Sequence, residues 1–503
     1  MNQLKTGAVL NYMVIILNVM VGLLYTPFML RMMGPSEYGL FSLVASTISY
    51  LTILDFGLGN AVIRYTAKFR AEGKHTEQYE MFGMFFIIYL VIGIISLFAG
   101  SALYFNVDAM FGNTMTPEEL GKARIMMLFL IFNLAFTFPM SIFGSIITAY
   151  ERFIFPRIVN ITRIILNTVV MICLLKMGYR AVAMVIVQTA FNVLSLLLNY
   201  IYCKKKLKIK IYFRGFKWAF LKEVAIYSFW IFLSVIMDKI YWSSGQFILG
   251  ITVGTTAVAI FAVAIQLQHM YMTFATAISA VFLPRITGMV VTNNYTKEIS
   301  DIFIKTGRIQ YVIMSLVLSG FIVFGKKFIL LWAGDGYSNS YYITLLFFIC
   351  MLPDLIQNIG IVILQARNQV KFRAILGVAV AILSLFLQLI LSKQYSEIGC
   401  AVAIATMFLI GQGVIMNIYY SRKQGLDIVC FWKEIFKMSI IPILLTVTSI
   451  YTLRSYSIDG WGELLVSIII FCAVYIPLFW IFSMNKYERN LLIAPIKKIL
   501  RRA

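Results

Sequence analysis

The chain of 503 residues is 61% hydrophobic and only 13% charged, about half the charged share of an average soluble domain. That leaves too few polar side chains to cover a globule in water, which excludes a soluble enzyme or a soluble binding module. The formal net charge of +22 would suit nucleic acid, but the basic residues are distributed between apolar runs, so their placement, not their number, decides what they do.

Crossing a bilayer takes about 20 apolar residues, and such stretches recur from end to end. Fourteen spans are predicted: 10–30, 39–60, 82–105, 124–148, 158–176, 180–202, 224–248, 256–283, 308–332, 341–365, 373–391, 396–420, 436–454 and 461–483. The first has too long an apolar core for a cleaved signal peptide, and no small-residue cleavage site follows it, so it is expected to persist as a helix. With the N-terminus in the cytoplasm and basic residues toward span ends counted to the face they adjoin, that face carries 32 Lys and Arg against nine on the other, while Arg163 and Lys239 lie deeper within spans. The positive-inside rule requires this asymmetry, so both termini are expected to be cytoplasmic. The charge then reflects topology and attraction to anionic headgroups, and no nucleic-acid partner is expected. Loops are short throughout, so any chemistry is confined to the membrane.

Polar residues inside the spans fall into stripes. The first span carries Asn11, Asn18, Gly22 and Tyr25, and the second Ser42, Ser46, Ser49 and Asn60. The fifth carries Asn160, Arg163 and Asn167, and the sixth Gln188, Asn192, Ser195 and Asn199. The seventh offers Ser234, Asp238, Lys239 and Gly245, the eighth Gln266, His269, Thr273 and Thr276, and the tenth Asp354, Asn358 and Gln365. Singly, such residues are ordinary helix-packing contacts of about 0.6 kcal/mol. Stripes in so many spans at once point to a hydrated central cavity, since a polar group facing lipid is costly. Arg163, in mid-span, needs an anion or water. Asp238 and Lys239 are adjacent and point about 100° apart, so at least one needs a different partner. The first half is therefore expected to line a polar, net cationic cavity suited to a phosphate-bearing substrate. Pro27, Pro139, Pro353 and Pro477 lie within spans and are expected to kink them. The six scattered cysteines have no CxxC spacing or neighbouring histidine, so no metal site is expected.

Between the sixth and seventh spans, residues 204–217 alternate basic and apolar, as an interfacial segment does. Shifting the chain by 220 residues lays Gly34 on Gly254, Leu40 on Ile260, Phe41 on Phe261 and Asn18 on Asp238. The expected organisation is an all-α, polytopic membrane protein with two six-helix lobes, 1–203 and 224–425, around the cavity. A basic linker at 204–223 joins them, and 426–503 holds two further helices and a basic tail.

The run Tyr25-Thr26-Pro27-Phe28-Met29-Leu30-Arg31-Met32-Met33-Gly34-Pro35-Ser36-Glu37-Tyr38-Gly39-Leu40-Phe41 and the following Leu54-Asp55-Phe56-Gly57-Leu58-Gly59-Asn60-Ala61-Val62-Ile63-Arg64-Tyr65 strongly resemble the bacterial polysaccharide-biosynthesis flippases. These oligosaccharide, or Wzx-type, flippases belong to the multidrug/oligosaccharidyl-lipid/polysaccharide exporter superfamily. Pro284-Arg285 is similar to the family's usual ending of the eighth span. The resemblance implies a transporter, not an enzyme, in the bacterial cytoplasmic (inner) membrane. Its cargo would be an oligosaccharide on a polyprenyl pyrophosphate, flipped from inner to outer leaflet for O-antigen, capsule or exopolysaccharide assembly. Arg163 and Arg64 are the positions that match the cationic role toward pyrophosphate, with Asn160, Asn167, Asn18, Gln188, Asn192, Asp238, Lys239 and Gln266 as further cavity candidates. It also implies a monomer working beside a polysaccharide polymerase and assembly proteins among membrane lipids. No cofactor is expected, and no GxxxxGK[ST] loop is present for ATP.

A scaffold or receptor bundle would not require matched polar stripes in both lobes; two further alternatives stay open. A cation-coupled multidrug or other lipid exporter of the same superfamily would be expected to carry a carboxylate in its first lobe, yet the first span has none and Asp55 falls off the serine face of the second. A membrane glycosyltransferase or polymerase would need acids on a large outer loop, where 106–123 offers Asp108, Glu118 and Glu119.

Overall fold

The computed structural model describes residues 3–490 and 493, apart from 216–217, 293–295, 368 and 455–457. Most of the expected C-terminal basic tail lies outside them. The described residues form helices and no strand, because in hydrocarbon each backbone N–H and C=O must be satisfied within its own segment. In chain order these are α1 (Gln3–Ser49), α2 (Leu58–Ala71), α3 (His75–Phe105), α4 (Val107–Phe111), α5 (Pro117–Ala149), α6 (Ile154–Lys176), α7 (Ala181–Lys205) and α8 (Trp218–Thr252). There follow α9 (Thr255–Thr292), α10 (Thr296–Trp332), α11 (Ser338–Ile356), α12 (Ile359–Ala366), α13 (Lys371–Phe408), α14 (Met416–Arg422), α15 (Ile428–Leu453) and α16 (Trp461–Phe482).

Ten stretches among the described residues are long and apolar enough to cross a bilayer, and two of these, 9–71 and 371–422, each contain two expected spans. With α8 and α15 over the two remaining spans, the pattern is that of a multi-pass membrane protein of about fourteen helices. α9 runs through Pro284-Arg285 to Thr292, and the side chains of that pair lie outside the described residues.

The expected loop between the first two spans is a single-residue turn. Gly34 alone leaves helical geometry, at φ 77° and ψ 169°, a conformation only glycine adopts without strain, and Pro35 restarts the helix with its preset φ. The second span, expected to be continuous, is broken. A tight 3₁₀ stretch at Tyr50–Asp55 is followed by left-handed Phe56 and Gly57, at φ 51° and 69°. Asn60 therefore lies beyond the break and does not extend the Ser42, Ser46 and Ser49 face. The tenth span is likewise divided, three residues after Pro353, between α11 and α12. Pro139 and Pro477, by contrast, sit inside α5 and α16, which run on without a non-helical residue. In the last part of the 371–422 stretch, Leu409–Ile415 widens into a π-helical turn.

The helices gather into two compact units, one of residues 1–262 with 385–400, the other of 263–384 with 401–503. Within the first, α5 packs between α3 and α7, and α1 packs along α6. A Cβ on Gly93 of α3 would come within 2.8 Å of the Ala135 carbonyl of α5, so the absent side chain is what lets these two backbones approach.

The second unit is fastened by a buried charge cluster. Arg308 of α10, 4% exposed, donates through Nη1 to Glu434 Oε2 of α15 at 2.6 Å and through Nη2 to Glu488 Oε2 at 3.1 Å and the Ser483 carbonyl at 3.2 Å. Its Nε donates to the other oxygen of Glu488, so the pair is bidentate. One side chain thereby joins α10, α15 and the segment after α16. Arg308→Ala is expected to strand the Glu488 carboxylate, 1% exposed, at a cost of about 3–5 kcal/mol. A fall in apparent melting temperature in detergent, smaller for Arg308→Lys, checks this; an unchanged melt would remove the cluster from the forces holding the unit.

Candidate functional site: an amide-lined cavity around Arg163

Four segments of the first unit converge on one cavity of about 480 Å³. α6 contributes Arg163 and Asn167, α7 Gln188 and Asn192, α5 Asn133 and Thr137, and α1 Asn18 and Ser49, with Thr52 following in the 3₁₀ stretch. Helical spacing is responsible. Residues 163 and 167 are one turn apart, as are 188 and 192 and 133 and 137, so each helix turns a single polar edge inward while its other faces stay apolar.

The Arg163 guanidinium is held by amide oxygens. Nη2 donates to Asn160 Oδ1 one turn back at 3.0 Å, and Nη1 donates to Asn192 Oδ1 across the helix interface at 3.3 Å. Asn192 is itself oriented by α5, its Nδ2 donating to Asn133 Oδ1 at 2.8 Å and to Thr137 Oγ1 at 2.9 Å. The Thr137 hydroxyl itself donates a hydrogen bond to the Asn133 backbone carbonyl at 2.7 Å. With both amide hydrogens committed to α5, Asn192 can offer Arg163 only its oxygen.

The result is an oriented cation whose charge stays uncompensated. None of the lining residues is Asp or Glu, and among the described residues no carboxylate forms an ion pair with Arg163. Of the five N–H groups of a guanidinium, two are used, leaving three for another acceptor. Asn167 adds a buried Oδ1 with no hydrogen-bond partner, a group whose burial is costly until a donor meets it. The site can thus bind an anion at Arg163 and hydroxyl groups along the amide edges.

Of the residues expected from the sequence, the structure brings Arg163, Asn167, Asn18, Gln188 and Asn192 to this cavity, with Asn160 behind the guanidinium. Arg64 is elsewhere, exposed on α2 with its guanidinium 5.7 Å from the ring of neighbouring Tyr65. Asp238, exposed, and Lys239, half-buried, lie on α8 and do not line it. Gln266 belongs to the second unit. Asn133 and Thr137 were missing from the expected set, although their spacing of four on α5 is the same signal that marked α6 and α7. Ser49, already on the expected polar face of the second span, is joined in the wall by Thr52 from the 3₁₀ stretch that follows it.

The family model for polysaccharide biosynthesis proteins matches residues 4–290. Among solved structures, a lipid II flippase, MurJ, in an inward closed conformation is 18% identical over 98% of this chain and 99% of its own, with a TM-score of 0.70. An inward-facing multidrug-resistance MATE transporter of the MOP superfamily is 13% identical over 82% and 99%, with a TM-score of 0.60. A MOP superfamily transporter from Pyrococcus furiosus, described as having a binding pocket of reverse polarity, is 15% identical over 83% and 97%, with a TM-score of 0.54. No curated protein matches. At these identities the structures establish the fold, and the family match, which covers more than half of the residues, establishes the lineage: the chain belongs to the polysaccharide biosynthesis protein family.

Proposed function

We propose that this protein is a flippase that carries a polyprenyl-pyrophosphate-linked oligosaccharide from the inner to the outer leaflet of the bacterial cytoplasmic membrane by alternating access, supplying surface polysaccharide assembly. One observation carries the reading: Arg163 stands in a polar cavity with amide partners only, its charge uncompensated. An arginine in hydrocarbon costs at least about 2.5–3.5 kcal/mol. An anionic cargo recovers that cost during each cycle, whereas a permanent carboxylate partner would abolish the attraction. The amide edges of Asn133, Asn167, Gln188 and Asn192 suit sugar hydroxyls, which both donate and accept. The name of one solved relative, a lipid II flippase, fits the same cargo class.

Export of cationic drugs, the property in the name of another relative, is disfavoured by the same geometry, since a cavity with an arginine and no carboxylate repels a cation. A glycosyltransferase is disfavoured by the fate of the outer acids. Glu119 accepts from Thr116 at the start of α5 as part of a capping box, and Glu118 and Asp108 pair with Lys122 and Arg124. Structural bonds already engage all three.

In proteoliposomes holding a polyprenyl-pyrophosphate oligosaccharide, Arg163→Ala is expected to slow headgroup movement between leaflets by about 10–100-fold, the worth of a lost charged hydrogen bond. Arg163→Lys keeps the charge without the fork and should retain partial activity. Wild-type rates in Arg163→Ala, at normal protein levels, would refute the assignment, and a wild-type protein that moves small cationic dyes but no such lipid would transfer it to drug export. The cavity itself is checked by labelling. In a chain lacking its six native cysteines, Gln188→Cys is expected to react with a water-soluble maleimide while Ile165→Cys, on the lipid-facing side of α6, does not; equal reaction at both positions would deny that the cavity is the water path.

A further inference from the structure

We propose that residues 204–214, the last two residues of α7 and the segment after it, form a docking surface for anionic phospholipid headgroups, a comb of lysines fixed at the edge of the lipid-facing surface. This does not depend on which cargo the protein moves. After the helical Lys204 and Lys205 the chain turns, with Lys208 in the left-handed region at φ 50°, and from Lys206 to Ile211 burial alternates with residue type. Lys204, Lys205, Lys206, Lys208 and Lys210 are exposed, while Leu207, Ile209 and Ile211 are half-buried against the aromatic cluster that includes Phe82, Phe86 and Phe143.

Several contacts fix that register. Ile209 N donates to the Cys203 carbonyl at 3.2 Å and Tyr212 N to the Tyr79 carbonyl of α3 at 3.1 Å. Gly83 lets the segment lie directly on α3, since a Cβ there would stand 2.0 Å from the Tyr212 carbonyl. Arg214 Nε lies 3.6 Å from Glu80 Oε1 at the far end. A slip of one residue would turn Lys208 and Lys210 inward and expose Ile209 and Ile211, so packing energy holds those two charges outward. Among the described residues no carboxylate forms an ion pair with any of the five lysines.

Placement relative to lipid identifies the occupant. Ile201 of α7 is 43% exposed and belongs to the apolar outer face of that helix. Lys204 follows three residues later, about 4.5 Å along the axis at 1.5 Å per residue. Phe213, 65% exposed, sets its ring 6.2 Å from that of Phe86, one turn before lipid-facing Leu90 of α3. An apolar ring at the level where lipid contact begins, beside a row of ammonium groups with no carboxylate partner, Lys204 lying 5.9 Å from the Tyr200 ring, is the pattern of an interfacial anchor. A soluble acidic protein would have no use for the exposed phenylalanine, whereas a phospholipid offers phosphate to the lysines and acyl chain to the ring.

The test uses Phe213→Trp as a reporter in proteoliposomes, with the fluorescence of the parent chain, which has seven tryptophans, subtracted. At equal mole fraction, acyl-brominated phosphatidylglycerol is expected to quench the reporter about threefold more strongly than brominated phosphatidylcholine, and 0.5 M salt should erode the preference. Adding K206Q/K208Q/K210Q, all exposed positions, should abolish it. Equal quenching by the two lipids in the reporter, or a preference that survives the triple substitution, would overturn the proposal.

Discussion

The constraint on which the rest of this protein depends is that hydrocarbon offers no solvation to a charge. Every ionisable group drawn among the helices must find its partner within the chain, in a bound ion or in water. The two best-defined arginines answer this in opposite ways. Arg308 is closed off by two carboxylates and a carbonyl, so its charge is spent on structure. Arg163 has amide oxygens alone, which orient a guanidinium without neutralising it. Removing water strengthens both arrangements, but only the second keeps an attraction in reserve.

The amide network shows how an apolar helix bundle can hold a polar site without coming apart. Each of α5, α6 and α7 contributes a single edge of two residues one turn apart, and Asn192 bridges all three helices. The orientation of Asn192 is imposed by α5, so the position of Arg163 reports on a helix it does not touch directly. A change in the spacing of α5 and α7 would therefore alter which way the cation points, a simple route from helix movement to altered affinity.

Much of this was readable from the residues themselves. The alternation of apolar runs and basic loops gives the helices, and spacings of three and four placed Asn160, Arg163 and Asn167 on one face and Gln188 and Asn192 on another. What periodicity could not give was the set of interruptions. The 3₁₀ stretch and left-handed pair at residues 50–57, the division at 357–358 and the π-helical turn at 409–415 are departures from the 3.6-residue repeat on which such reading relies. Long-range pairs were equally hidden. Nothing in the neighbourhood of Arg308 announces partners 126 and 180 residues away, and nothing local to Asp238, Lys239 or Arg64 says that they lie outside the lining around Arg163.

That separation along the chain has a consequence for how the protein is made. Helices enter the membrane from the N-terminus onward, so Arg308 arrives with α10 long before the ribosome has produced Glu434, and longer still before Glu488 emerges behind α16. Through that interval the arginine has neither of its carboxylates and must stay near the interface, where its long side chain can reach water. The bidentate pair with Glu488 therefore closes only after α16 has been made, so the charge cluster is a contact of the finished chain and not of any N-terminal part of it.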